Sequence, residues 1–110
     1  MERTNPYYNP EKFGLTTLSF DEPNMCYEYN IMCFWLTSNG QIYYKSDSGC
    51  SCPTPFELYE GTTQDEVLQK LDRIGSVEQA EAVFESWNNG KLPIAKKNFL
   101  GDWVKANLKA

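Results

Sequence analysis

The chain has 110 residues, 41% hydrophobic and 15% aromatic, enough to build one core but not two, and is read as a single domain over residues 1–110. Fifteen acidic against ten basic residues leave a net charge of -5, which argues against direct nucleic-acid binding, because that depends on cations displacing phosphate counterions. No histidine is present, which excludes Ser-His-Asp and Cys-His nucleophile systems, HExxH zinc hydrolases and fingers with paired Cys and His ligands.

Residues 1–12, with two prolines and the adjacent Tyr7 and Tyr8, read as an extended lead-in without the apolar core of a signal peptide. No apolar run approaches the roughly 18 residues a membrane span needs, so no membrane partner is expected and the cytoplasm is the expected location. There the cysteines would stay reduced. Phe13 to Phe20 is rich in Thr and aromatics and suggests a first strand, closed by a turn at Asp21–Asn24. Met25 to Leu36 is the clearest strand. Its period of two puts Tyr27, Tyr29, Ile31, Cys33 and Trp35 on one face and Cys26, Glu28, Asn30, Met32 and Phe34 on the other. Thr37–Gly40 signals a hairpin, and Gln41 to Ser46 returns as a third strand.

After residue 60 the period becomes helical. A helix from Thr63 to Gly75 opens on a capping box, Thr63 with Glu66, and aligns Val67, Leu68, Leu71 and Ile74. A second repeats the plan with Ser76 and Gln79, turning Val77, Ala80, Val83, Phe84 and Trp87 inward. A third is expected over Phe99 to Lys109, with Leu100, Trp103, Val104 and Leu108 facing the core. The lysines of residues 91–110 suit the C-terminal end of a helix, or an acidic partner. The fold class is therefore α+β: a three-stranded antiparallel meander followed by two or three helices packed on one face, with a β-rich half over 1–60 and a helical half over 61–110.

The densest chemistry lies in Ser46–Glu57, "SDSGCSCPTPFE". Together with Cys26 and Cys33, Cys50 and Cys52 could supply four thiolates to a zinc ion. The spacings C-x6-C and C-x-C lack the knuckle pattern, however, and the odd separation of Cys26 and Cys33 points them to opposite faces of an unbroken strand. Neither a metal nor any other cofactor is expected. Cys50 has no His partner, and position 56 holds Phe where a phosphatase loop needs Arg. Asp47 alone is a weak base for Ser48 or Ser51. No catalytic residue is assigned. The packet reads best as a rigid connector: Asp47 and Ser48 fold back on backbone N–H groups, Gly49 takes a positive φ, Cys50 and Cys52 fill tight space, and Pro53 and Pro55 hold the exit extended. Phe56 is then delivered to the core.

The run "GQIYYKSDSGCSCPTPFE" after the aromatic strand "CYEYNIMCFWL" resembles a family of small uncharacterised proteins from phages of actinobacteria, over Tyr7 to Tyr59. The resemblance carries over no catalytic residues. It implies a phage product acting in the bacterial cytoplasm. The expected function is that of a small non-enzymatic accessory protein that binds a host or phage protein. The expected surface is the aromatic sheet face with the Cys-rich loop, in particular Tyr27, Tyr29, Tyr43, Asp47 and Ser48. The alternatives are a Cys-coordinated zinc domain or thiol-dependent enzyme, and an acidic nucleic-acid mimic that inhibits a host DNA-binding or defence factor.

Overall fold

The computed structural model describes residues 3–21, 28–50, 55–87 and 92–108. Four antiparallel strands, β1 (Thr16–Asp21), β2 (Glu28–Leu36), β3 (Ile42–Cys50) and β4 (Asp72–Ile74), lie in the sheet in chain order. Among the described residues there are also three α-helices, α1 (Gln64–Leu68), α2 (Val77–Ser86) and α3 (Ile94–Asn107), and two short 3-10 turns, Pro10–Phe13 and Glu57–Tyr59. The class is α+β, as expected.

The β2–β3 hairpin is the spine. Its turn closes where the sequence places it: Gly40 takes φ +85°, Thr37 N–H donates to the Gln41 carbonyl at 2.9 Å, and the Thr37 hydroxyl accepts from Gln41 N–H at 3.0 Å. The period of two on β2 is also as read, but both faces are buried. Met32 and Phe34 join one apolar cluster with Ile42, Ile74, Phe84, Leu100 and Val104. Ile31, Cys33 and Trp35 join the other, with Phe13, Leu15, Phe56, Val67 and Leu71. Each large side chain so buried contributes about 1.5–3 kcal/mol.

This corrects two expectations. The helix foreseen from Thr63 to Gly75 ends at Leu68, and Asp72–Ile74 becomes a fourth strand paired with Ile42–Tyr44. The apparent stripe is divided by the sheet, with Val67 and Leu71 on one side and Ile74 on the other. Pairing with the open side of β3 outweighs the weak preference of five or six more residues for helix. A strand thus stands inside the expected helical half. The helices, moreover, do not share one face: α1 packs with Ile31 and Trp35, whereas α2 and α3 pack with Met32 and Phe34.

Both helix starts are capped as read, Thr63 Oγ1 accepting from Glu66 N–H and Ser76 Oγ from Gln79 N–H. The return arm of each box reaches one residue further upstream. Glu66 Oε2 accepts from the N–H and hydroxyl of Thr62, and Gln79 Oε1 from Gly75 N–H. The third helix begins at Ile94, five residues before the expected Phe99, because Pro93 sits extended just before it and its carbonyl accepts from Lys96 and Lys97 N–H. Leu100 and Val104 are buried and Trp103 and Leu108 pack beside them, as read.

Candidate functional site

The first half of the Ser46–Glu57 packet is strand, not turn. Ser46 to Cys50 continue β3 opposite Met32 to Glu28. Gly49 lies in that ladder across from Tyr29, so the positive φ expected there is not found. It occurs instead at Phe56, with φ 60° and ψ 24°, the one non-glycine with positive φ among the described residues. A bulky residue in this region is strained by roughly 1–3 kcal/mol and persists only where its surroundings impose it.

Those surroundings are specific. Asp47 spans the packet: Oδ2 accepts from Phe56 N–H at 2.7 Å and Oδ1 from Ser48 N–H at 3.0 Å. The Phe56 ring is fully buried, edge-on to Trp35 at 5.4 Å between centroids and against Tyr7 at 5.1 Å and Tyr59 at 5.9 Å. The N-terminal segment closes over this cluster and is no free lead-in. Asn5 donates from Nδ2 to the Pro55 carbonyl at 2.8 Å and accepts Tyr7 N–H on Oδ1, and Trp35 Nε1 donates to the Pro6 carbonyl at 3.0 Å. Thr4 and Gly61 exchange two backbone bonds. Arg3 reaches the Glu60 carbonyl and Glu66 Oε1. Bonds from the Thr62 N–H and hydroxyl, with the Arg3 charge, hold the Glu66 carboxyl below its ordinary range.

Asp47 and Phe56 are thus brought together, and Asp47 serves two backbone donors as the connector reading requires. Ser48 is exposed on the same strand, and Pro55 presents its carbonyl to Asn5. Tyr43 is half-buried against the Trp35 cluster. Its outer side borders a polar cleft of about 420 Å³ lined by Asn39, Gln41, Gln64, Asp65, Leu68 and Gln69. Cys26, Tyr27, Cys52 and Pro53, and the side chains of Tyr29 and Cys50, lie outside the described residues. Cys33 is fully buried in the apolar cluster, and that burial pushes its thiol well above the ordinary range, which suits packing and not a thiolate ligand.

Trp35, on the strand face that carries the expected tyrosines, and Phe34, on the other face, are both fully buried. A second cleft lies on the helices. Between α2 and α3 runs a groove of about 490 Å³ lined by Glu81, Phe84 and Glu85 from α2, by Leu92, and by Ile94, Lys97, Asn98, Gly101, Asp102 and Lys105 from α3. Lys97 ties the two helices together by an ion pair with Glu85 at 3.1 Å. Ile94 is 77% exposed. A Cβ added to Gly101 would meet nothing within 4 Å. The sequence signal for this site is a glycine inside a helical pattern.

A doubly covered antiparallel sheet with an aspartate clasp on one face and a helix groove on the other defines a small α+β domain. The chain belongs to the family described as a domain of unknown function, DUF7574, whose pattern matches residues 4–105. That match takes in the helical part as well as the Asp47–Phe56 packet. No curated protein and no solved structure matches the chain.

Proposed function

We propose that this chain is a small non-enzymatic binding module. In this reading it is a phage product that engages a host or phage protein in the bacterial cytoplasm, through the groove between α2 and α3. The observation that carries the reading is Gly101. Glycine within a helix costs about 1 kcal/mol relative to alanine, and no described residue needs the space its missing side chain leaves. A partner segment laid in the groove would use it, because its backbone could approach the α3 axis there. The exposed Ile94 offers such a segment an apolar anchor, beside the nearly buried Phe84 and Leu92 that line the groove. The phage setting rests on the resemblance of the Ser46–Glu57 run, and no helix among the described residues is long and apolar enough to cross a membrane.

The test is capture from host lysate by wild type, Gly101→Ala and Gly101→Leu. Both substitutions favour helix, so the fold should stay intact by circular dichroism. The expected result is a discrete partner retained by wild type and lost, at least tenfold in affinity, with Gly101→Leu. A folded Gly101→Leu variant that captures the same partner equally well would overturn the groove reading.

A further inference from the structure

The two edges of the sheet are not alike. The β4 edge is three residues long, with exposed Asp72 and Arg73, and Asp72 is tied to Lys45 at 3.3 Å. Short, charged edges of this kind resist pairing with another chain. The β1 edge is longer and less charged, with Asp21 at its end and Lys96 of α3 over the Phe20 ring at 5.5 Å. Its six residues hold an unbroken register with β2, from Thr16 opposite Leu36 to Asp21 opposite Ile31, and Thr16 to Phe20 carry no charge and no proline. Among the described residues no backbone hydrogen bond reaches its outer side. Leu18 and Phe20 are only half-buried, at the margin of the cluster that contains Met32 and Phe34.

We infer that β1 pairs antiparallel with β1 of a second copy of this chain, joining two four-stranded sheets into one of eight strands. A free strand edge offers N–H and C=O groups that only another extended segment can satisfy in a row. The β1 edge is complementary to itself. A twofold axis perpendicular to the sheet keeps the faces aligned, so the half-exposed Leu18 and Phe20 rows meet across the seam while Thr17 and Ser19 meet on the opposite face. The antiparallel arrangement places the strand's single charged position, Asp21, of each copy at opposite ends of the seam. One strand pair buries less than a standard interface, so the association is weak, in the micromolar range or above. It leaves the α2–α3 groove of each copy out of the seam.

Sedimentation equilibrium of the full chain, from about 10 μM to about 1 mM, tests this beside Ser19→Lys and, at the other edge, Arg73→Ser. Ser19 is exposed, so the lysine should leave the melting temperature unchanged while setting like charges across the seam. The expected result is a concentration-dependent dimer for wild type and Arg73→Ser, weakened at least tenfold by Ser19→Lys. Amide exchange provides a readout independent of any variant: protection within Thr16–Asp21 should rise with wild-type concentration. A wild type that stays monomeric throughout would overturn the inference. So would a dimer that Ser19→Lys leaves equally tight, or one that forms without added protection in β1.

Discussion

On one face of the sheet α2 and α3 lie across Met32 and Phe34; on the other, the short α1 and a longer stretch of irregular chain lie across Ile31, Cys33 and Trp35. The helices satisfy their own backbone groups and need only an apolar stripe to dock. The irregular covering cannot do this, so side chains supply the missing partners: Asp47 for Phe56 N–H, Asn5 for Pro55 and Tyr7, Trp35 for Pro6, and Gln64 for the Phe13 carbonyl at 2.7 Å. The difference teaches where polar residues carry the fold. On the helix side they are dispensable at the core, and on the clasp side they hold the covering in place.

The largest effect should come from paired truncations of the two buried phenyl rings. Phe56→Ala and Phe84→Ala each remove a ring and should each cost about 3–5 kcal/mol in denaturant melts. Only Phe56→Ala should also release the N-terminal segment, seen as faster exchange at Tyr7 N–H and the Trp35 indole. If Phe84→Ala released them equally, the two faces would not be held separately.

Next in size is the clasp itself. Asp47→Ala leaves Phe56 N–H without its acceptor and should cost about 1–3 kcal/mol. Asp47→Asn keeps one acceptor oxygen for two donors and should fall between alanine and wild type. Equal stability of all three proteins would show that packing alone imposes the left-handed conformation of Phe56.

On the helix face the expected effect is smaller and of opposite sign. Gly101→Ala adds a methyl group that meets nothing and should stabilise the protein by about 0.4–1 kcal/mol. A loss of stability would reveal a packing role for the glycine and remove the ground for a partner there.

The smallest effect concerns pH. The Glu66 carboxyl is held below its ordinary range when folded, so its contribution is present above the unfolded carboxylate pKa and is lost as pH falls through the folded value. Glu66→Gln should therefore lower the melting temperature slightly at neutral pH and converge with wild type in acid. An equal gap at both ends would assign the effect to something other than its charge.

Much of the architecture was legible in local pattern. The alternation of Ile31 to Trp35, the Thr37–Gly40 hairpin, the caps at Thr63 and Ser76 and the stripe from Val77 to Trp87 depend on neighbours a few residues away, and each appears as read. The delivery of Phe56 to the core was also legible, from the prolines and the aromatic at the packet's exit. What depended on distant partners was not. Val67, Leu71 and Ile74 satisfy a helical period, and only the open side of β3 turns Asp72–Ile74 into a strand. Gly49 and Phe56 compete for the positive φ of one segment, and the choice falls to Phe56 because Asp47 and Trp35, nine and twenty-one residues away, hold its N–H and its ring. The groove between α2 and α3 was not legible for the same reason. Sequence alone marks Phe34 and Trp35 as large and apolar, but only the covering of both faces makes them core, and only the docking of α2 on α3 puts Gly101 in the lining of a groove.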